Sequence, residues 1–419
     1  MNAEIGQLAQ EVIARCRKLA TFSEDSGSLR RTFLSPPMHD VHREIASWLQ
    51  PFGTMLQIDA AGNWRALYPA AGPAAPRVLI GSHLDTVPNA GAFDGILGVA
   101  LAIALLRVLN GRRLPYAIEI VGFSDEEGVR FATPFLGSCA LVGRFDDNLM
   151  DRQDSQGISV RKAIHDFGLN PERIGDAVLG DDVCAYLEFH IEQGPVLESL
   201  ALPLGVVDAV AGQSRLEFIF KGRANHAGTT PMNMRFDALS GAAEWIAAVE
   251  RMARSDLGLV ATVGAVQAKP GAVNVIAGEA RLSLDVRHPG DDIRMRAVED
   301  LIRDAQAIAR RRGLTVGWNE HINQRAVQMD LDLITQIEEA IRKSGCKPHR
   351  MVSGAGHDAM ILAEKVPSGI VFIRTPGGIS HDPAESVLVD DVAMAIECGS
   401  HLLDQFPVSS AFQKRTCRA

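Results

Sequence analysis

Arg77-Val78-Leu79-Ile80-Gly81-Ser82-His83 is followed, after Asp94-Gly95, by the most apolar stretch of the chain, residues 96–109. The first segment has the length of a buried strand and the second that of a buried helix. Further apolar runs at 117–123, 184–190 and 371–374 read as strands. Residues 38–50 place Val41, Ile45, Trp48 and Leu49 at helical spacing, and 331–344 reads as another helix. Strands alternating with helices imply an α/β fold whose mixed, mostly parallel sheet is covered on both faces.

Between Gly212 and about Gln324 the pattern changes. Strands are expected at 214–221, 260–267, 280–287 and 314–318, with helices at 237–254 and 291–312. This βαββαβ order describes a small sandwich inserted into the larger unit. The expected division is 1–211 and 326–419 for the large domain and 212–325 for the insertion. Residues 408–419 read as a frayed tail.

Bulk properties remove several function classes. The 42 Lys and Arg against 51 Asp and Glu give a net charge of -9, which would repel a phosphate backbone, so nucleic acid is excluded as a partner. The apolar run at 96–109 is too short for a membrane span. The six cysteines (Cys16, Cys139, Cys184, Cys346, Cys398, Cys417) have no metal or disulfide spacing and read as free thiols. With no basic-then-apolar leader at the start, a cytoplasmic protein is expected.

The polar residues fall where such a sheet binds ligands, outside the carboxyl ends of its strands. His83 ends the first strand, and Asp94 sits in the following loop, in Gly91-Ala92-Phe93-Asp94-Gly95. Glu126 and Glu127 follow the second strand, His190 ends the third, and His381 follows the fourth. A lone strand-end histidine is ordinarily satisfied by one hydrogen bond. Such groups at the ends of separate strands point instead to a metal site. Histidines and carboxylates without cysteine suit Zn²⁺ or Mn²⁺, and the surplus of acids suits two ions sharing a carboxylate. Adjacent Glu126 and Glu127 could divide the work, one binding metal and one acting as base. Motifs for a serine nucleophile, a dinucleotide or a phosphate loop are absent. A module that binds metal without chemistry is the competing class.

At these motifs the sequence resembles the di-metal amidohydrolases that include N-carbamoyl-L-amino-acid hydrolases, β-ureidopropionases and allantoate amidohydrolases. More distantly it is similar to aminoacylase and dipeptidase metallopeptidases. The resemblance covers about residues 29–403 and implies a metallopeptidase-like catalytic domain with an inserted dimerisation (lid) domain. It implies that His83, Asp94 and His190 hold one ion, and that Asp94 (bridging), Glu127 and His381 hold the other. Two divalent ions per subunit follow, Mn²⁺ first and Zn²⁺ or Co²⁺ next. Glu126 would be the general base, and Asp85 would orient the histidine ligand from behind.

The resemblance also assigns substrate contacts to Gln193, His226, Asn274, Arg287 and Gly356. Arg287 is either the partner of a substrate carboxylate or one half of a surface ion pair. His226, in the insertion, would reach the partner subunit's site in a homodimer and steady the developing oxyanion. Asp382 departs from the small polar residue that relatives often carry after His381. Two segments, Leu29-Arg30-Arg31-Thr32-Phe33-Leu34-Ser35-Pro36 and Phe123-Ser124-Asp125-Glu126-Glu127-Gly128-Val129-Arg130-Phe131, look most like allantoate amidohydrolases, especially those of plants. The implied reaction is hydrolysis of one ureido group of allantoate to ureidoglycine, ammonia and carbon dioxide. N-carbamoyl-L-amino acids and N-carbamoyl-β-alanine are the alternative substrates. A peptidase or deacylase is disfavoured by the Glu192-Gln193-Gly194-Pro195 and Gly354-Ala355-Gly356-His357-Asp358 motifs.

Overall fold

The apolar run at 96–109 forms the helix Ile96–Leu109, buried along its length except near Arg107. It packs on the strands Arg77–His83 and Val183–Ile191 and is covered by the helices Ala3–Leu19 and Val389–Gln405. A helix apolar on every side needs such cover on every side. The computed structural model describes residues 3–406; Cys417 and the expected tail lie outside the described residues.

Two compact units are present. One comprises Met1–Asp208, Met329–Met351 and Gly356–Ala419, and the other Ala209–Gln328 with Val352–Ala355. The first unit is built on a mixed sheet in the order Met55–Ile58, Trp64–Tyr68, Ala117–Phe123, Arg77–His83, Val183–Ile191, Ser368–Ile373 and Leu204–Val210. The four central strands run parallel, and the flanking pairs are antiparallel. Parallel strands all end on one side, so four chain segments deliver their next residues to one edge.

The sheet is wider than the four strands expected from sequence. Met55–Ile58 is only four residues long and exposed along its whole length, although three of the four are apolar. Leu204–Val210 is interrupted by Gly205 and Asp208, which hid it. The helix Ala3–Leu19 also escaped notice, although Leu8, Val12, Cys16 and Leu19 bury one face at helical spacing.

In the second unit, Glu279–His288 pairs antiparallel with Gly212–Lys221 along ten residues. Both strands bury alternate residues, and the helices Ala238–Ser255 and Asp291–Arg311 cover that face around Phe218, Phe220 and Trp245. The strand expected at 260–267 is broken into Val260–Thr262 and Val266–Lys269. Thr262 lies opposite Asp285 and Val266 opposite Leu282, so one residue is extra and the chain bulges near Gly264. The last strand, Thr315–Gln324, runs well past the expected 318. Asn225–His226 forms a separate small ladder with Val275–Ile276.

Gly98 supplies a test of the first unit's packing. A Cβ there would stand 2.2 Å from Phe189 O and 2.8 Å from Ser82 Cβ. Alanine ordinarily stabilises a helix position over glycine by about 1 kcal/mol. Here Gly98→Ala should instead lower the unfolding free energy by about 1–3 kcal/mol through overpacking. An unchanged or raised urea midpoint would contradict this packing.

Candidate metal centre

Arg77–His83 ends in His83, and Val183–Ile191 carries His190 one residue from its end. Ala117–Phe123 runs on into Ser124-Asp125-Glu126-Glu127. Beyond Ser368–Ile373 the chain reaches His381, which takes a left-handed φ of 56°. Asp94 enters from the loop before the apolar helix. The next residue, Gly95, has φ 69°, and a Cβ there would lie 2.5 Å from the His83 ring, so only glycine fits.

The histidine tautomers follow from their outer contacts. His83 Nδ1 lies 3.0 Å from Asp85 O, and His190 Nδ1 lies 2.9 Å from Ile191 O. A carbonyl oxygen only accepts, so each Nδ1 carries the proton and each neutral ring turns an Nε2 lone pair inward. The two Nε2 atoms face each other at 3.4 Å. Asp94 Oδ1 stands 3.5 Å from that of His83 and 3.1 Å from that of His190, is buried, and has no hydrogen-bond partner. Three buried acceptors converging on one point call for a cation.

A second group forms on the other oxygen of the same carboxylate. Asp94 Oδ2 lies 3.1 Å from His381 Nε2, which is 3.5 Å from Glu127 Oε1. Asp94 thus presents one oxygen to each group, as a shared ligand would. Donor atoms of His83, Glu126 and Glu127 also gather within 4.8 Å of one another. Imidazole and carboxylate donors without thiolate fit borderline or hard divalent ions.

Without a cation the electrostatics favour protons. Burial opposes charge on His83, yet the neighbouring carboxylates of Asp85 and Asp94 raise its pKa well above the usual value. Burial and then Glu127 push Glu126 well up, while burial and then Asp94 push Glu127 up to about 7. Burial would raise Asp94 too, but His190, His381 and His83 hold it well below the usual carboxylate range.

Asp85 ties two ligand segments together. It is fully buried, accepts from Glu126 N at 2.9 Å and Glu127 N at 3.1 Å, and lies 3.4 Å from His83 Nδ1. Gln193, at φ 58°, donates through Nε2 to Asp94 Oδ2 at 2.9 Å and to Ser380 Oγ at 3.1 Å. A Cβ on Gly356 would lie 2.7 Å from the Phe135 ring and 3.7 Å from Glu126 Oε1, so Gly356 lies beside the expected base.

His226, Asn274 and Arg287 belong to the second unit. There His226 and Asn274 are neighbours, since Ala227 N donates to Asn274 O at 2.8 Å. His226 is exposed, and its Nδ1 accepts from Gly228 N and Thr229 N at 3.1 and 3.2 Å. Arg287 sits near the end of Glu279–His288. Its Nε and Nη2 donate to Asp285 at 2.8 and 3.1 Å, and its Nη1 to Gly354 O.

Sequence reasoning missed four supporting residues. Glu188 is fully buried and accepts from Ser82 Oγ at 2.9 Å and Ala359 N at 3.0 Å. It lies two residues before His190, hence on the same strand face, a signal that was available. The His357 ring packs edge-on at 4.5 Å from His190, and burial drives its pKa well down, keeping it neutral. Ser380 and Glu385 carry no sequence signal beyond standing near His381.

The sequence profile of Peptidase family M20/M25/M40 matches residues 79–405. The chain belongs to this family. M20 members are hydrolases, and this chain is an enzyme of that kind. It is 37% identical to the allantoate deiminase of Arabidopsis thaliana, over 93% of this chain and 80% of that one. It is 35% identical to the N-carbamoyl-L-amino acid amidohydrolase of Geobacillus stearothermophilus, over 91% and 94% of the two. A hydantoinase/carbamoylase family amidase from Burkholderia multivorans superposes with a TM-score of 0.89 at 30% identity, covering 98% of both chains. Among the described residues of this M20 chain no helix is long and apolar enough to cross a membrane.

Asp85→Asn tests the support of the ligand segments. An amide offers one accepting oxygen where two buried N–H groups need partners, so one loses its bond. Stability of the chelator-treated protein should fall by about 1–3 kcal/mol, and divalent-ion affinity should fall with it. Unchanged values for both would remove Asp85 from this role.

Proposed function

We propose that the protein hydrolyses a ureido C–N bond in a small acid, with allantoate as substrate and ureidoglycine, ammonia and carbon dioxide as products. The observation that carries this reading is the pair of cation-seeking groups sharing Asp94, with Glu126 beside them. Similarity to an allantoate deiminase and to an N-carbamoyl-L-amino acid amidohydrolase supports ureido chemistry, since both names denote substrates with a ureido nitrogen and a carboxylate. The 35% identity to the second favours N-carbamoyl-L-amino acids as the alternative substrate, with N-carbamoyl-β-alanine behind them.

In this reading His83, Asp94 and His190 hold one divalent ion, and Asp94, Glu127 and His381 the other, Mn²⁺ before Zn²⁺ or Co²⁺. When bound, the ions polarise the ureido carbonyl and make water more acidic. Glu126 takes the proton of the attacking water and returns it to the leaving nitrogen. Burial raises its proton affinity, which suits a group that keeps a proton between two steps. Gly356, without a Cβ, leaves room for substrate next to Glu126.

His226 has the tautomer its assigned role needs. Two backbone N–H groups point at Nδ1, so the proton sits on Nε2 and can be donated to an oxyanion. We assign this donor to the partner subunit's site in a homodimer formed through the insertion 212–325. Arg287, with Asn274 and Gln193, is assigned to the substrate. Asp285 already neutralises Arg287, so a substrate carboxylate would share that guanidinium. Free thiols at the five described cysteines suit a cytoplasmic setting, where we place the protein.

Ammonia release from allantoate, N-carbamoyl-L-amino acids and N-carbamoyl-β-alanine, each with Mn²⁺, Zn²⁺ or Co²⁺, decides the substrate. Allantoate should give the highest kcat/KM; a higher value on a carbamoyl amino acid would replace it. Glu126→Gln should retain bound metal while turnover drops on the order of 10²-fold or more.

Complementation tests the dimer. His226→Ala and Glu126→Gln should each be nearly inactive alone. Co-refolded mixed dimers have one site with both groups intact, so activity should return to roughly a quarter of normal by random pairing. A mixture that stays inactive although mixed dimers have formed would refute action across the interface.

A further inference from the structure

We propose that Glu385 is a positioning residue, a latch that fastens the loop carrying Asp94 to the loop carrying His381 and so couples the two cation positions. The inference rests on the two-ion reading of the site. Glu385 Oε1 accepts from Phe93 N at 2.8 Å and from Asp94 N at 3.1 Å. Its Oε2 accepts from Ser380 Oγ at 3.2 Å. One carboxylate therefore grips two consecutive N–H groups of one loop and the residue preceding His381 in the other. Nearly 300 residues of sequence separate these loops.

Several features show a built contact. Glu385 is only 5% exposed. A Cβ on Gly91 would stand 2.3 Å from Glu385 Cβ and 2.5 Å from its Oε1, so the Asp94 loop approaches as closely as glycine allows. The chain after His381 turns back at once: Asp382 Oδ1 accepts from Ala384 N, and Asp382 O accepts from Glu385 N. Asp382 thereby shapes the turn that carries Glu385 inward. Ser380 Oγ also lies 3.4 Å from Asp94 Oδ2 and receives Gln193 Nε2, so the latch touches the bridging carboxylate from two sides.

The chemistry separates Glu385 from the ligands. Both its oxygens are committed to protein donors, and two of these are backbone N–H groups that cannot leave. It holds Asp94 from behind. Removing the carboxylate leaves two buried N–H groups unpaired and frees the Asp94 loop to shift. Asp94 serves both groups, so both positions feel the loss. The His381 position should lose more, because Ser380, which directly precedes His381, also loses its partner Glu385.

Metal-free protein, its folding checked by circular dichroism, is titrated with Mn²⁺ by calorimetry, and ion content is measured by elemental analysis. The unmutated protein should take up two ions; fewer than two would overturn the two-ion reading and the latch with it. Glu385→Ala should weaken the looser ion by about tenfold or more and the tighter one by less. Glu385→Gln can still accept from both N–H groups and donate to Ser380, so both affinities should stay within about threefold of normal. Ser380→Ala opens no large cavity and should weaken the looser ion alone, which keeps the test decisive if Glu385→Ala does not fold. Two ions bound at unchanged affinity in Ser380→Ala and in folded Glu385→Ala would overturn the latch alone. So would a Glu385→Gln variant as impaired as the alanine.

Discussion

Carboxylates buried without an equal number of cations are the constraint around which the first unit is arranged. Burial of Asp85, Asp94, Glu126 and Glu188 in one region would be prohibitive if each stood alone. The chain resolves this in two ways. Supporting acids are given backbone N–H partners: Asp85 takes those of Glu126 and Glu127, Glu188 that of Ala359, and Glu385 those of Phe93 and Asp94. Asp94 instead faces histidine nitrogens, and its Oδ1 keeps no hydrogen bond of its own. Asp94 Oδ1 is not alone in this, since buried Asp125 and Asp358 also keep carboxylate oxygens without a hydrogen bond, and such a surplus of buried acceptors attracts divalent ions.

Much of this was legible in the sequence because it depends on local patterns. Arg77–His83 and Ile96–Leu109 are marked by largely apolar stretches, and a parallel sheet sends its strand ends to one side. That geometry makes His83, Asp94, Glu127, His190 and His381 neighbours however far apart they lie in the chain. The supporting shell was legible only in part, through Asp85 near His83 and the strand face that Glu188 shares with His190. Glu188 depends on the register of Val183–Ile191 against Arg77–His83, and Glu385 on a turn that folds back toward a loop made much earlier. The bulge near Gly264 likewise appears only when two strands are laid side by side. Apolar periodicity reports which face of an element is buried, and it is silent about what that face meets.

The cation groups and the substrate contacts answer different questions. Paired histidine and carboxylate donors with a nearby glutamate can serve hydrolysis of many amide-like bonds, so they fix a reaction class and leave the substrate open. In the proposed reading, discrimination falls to residues such as Gln193, Gly356, His226, Asn274 and Arg287, whose shapes and partners differ more subtly. The tautomer of His226 illustrates this: a turn of two glycine- and threonine-borne N–H groups decides which nitrogen can donate. A one-residue change in that turn would alter the chemistry without touching a metal ligand.

The position of Ser368–Ile373 has a consequence for how the molecule comes into being. It lies between Val183–Ile191 and Leu204–Val210, both of which precede it by more than 150 residues. During synthesis those two strands and the inserted unit are all made before Ser368–Ile373, the strand that pairs with both. Parallel pairing to a distant segment is slow, because a long loop must close before any contact rewards it. Until then the sheet has raw edges of the kind that invite aggregation. The residue that completes the cation site, His381, arrives just behind the strand that closes the sheet. In the two-ion reading, a product terminated before this point has an unclosed sheet and lacks the histidine of the second group.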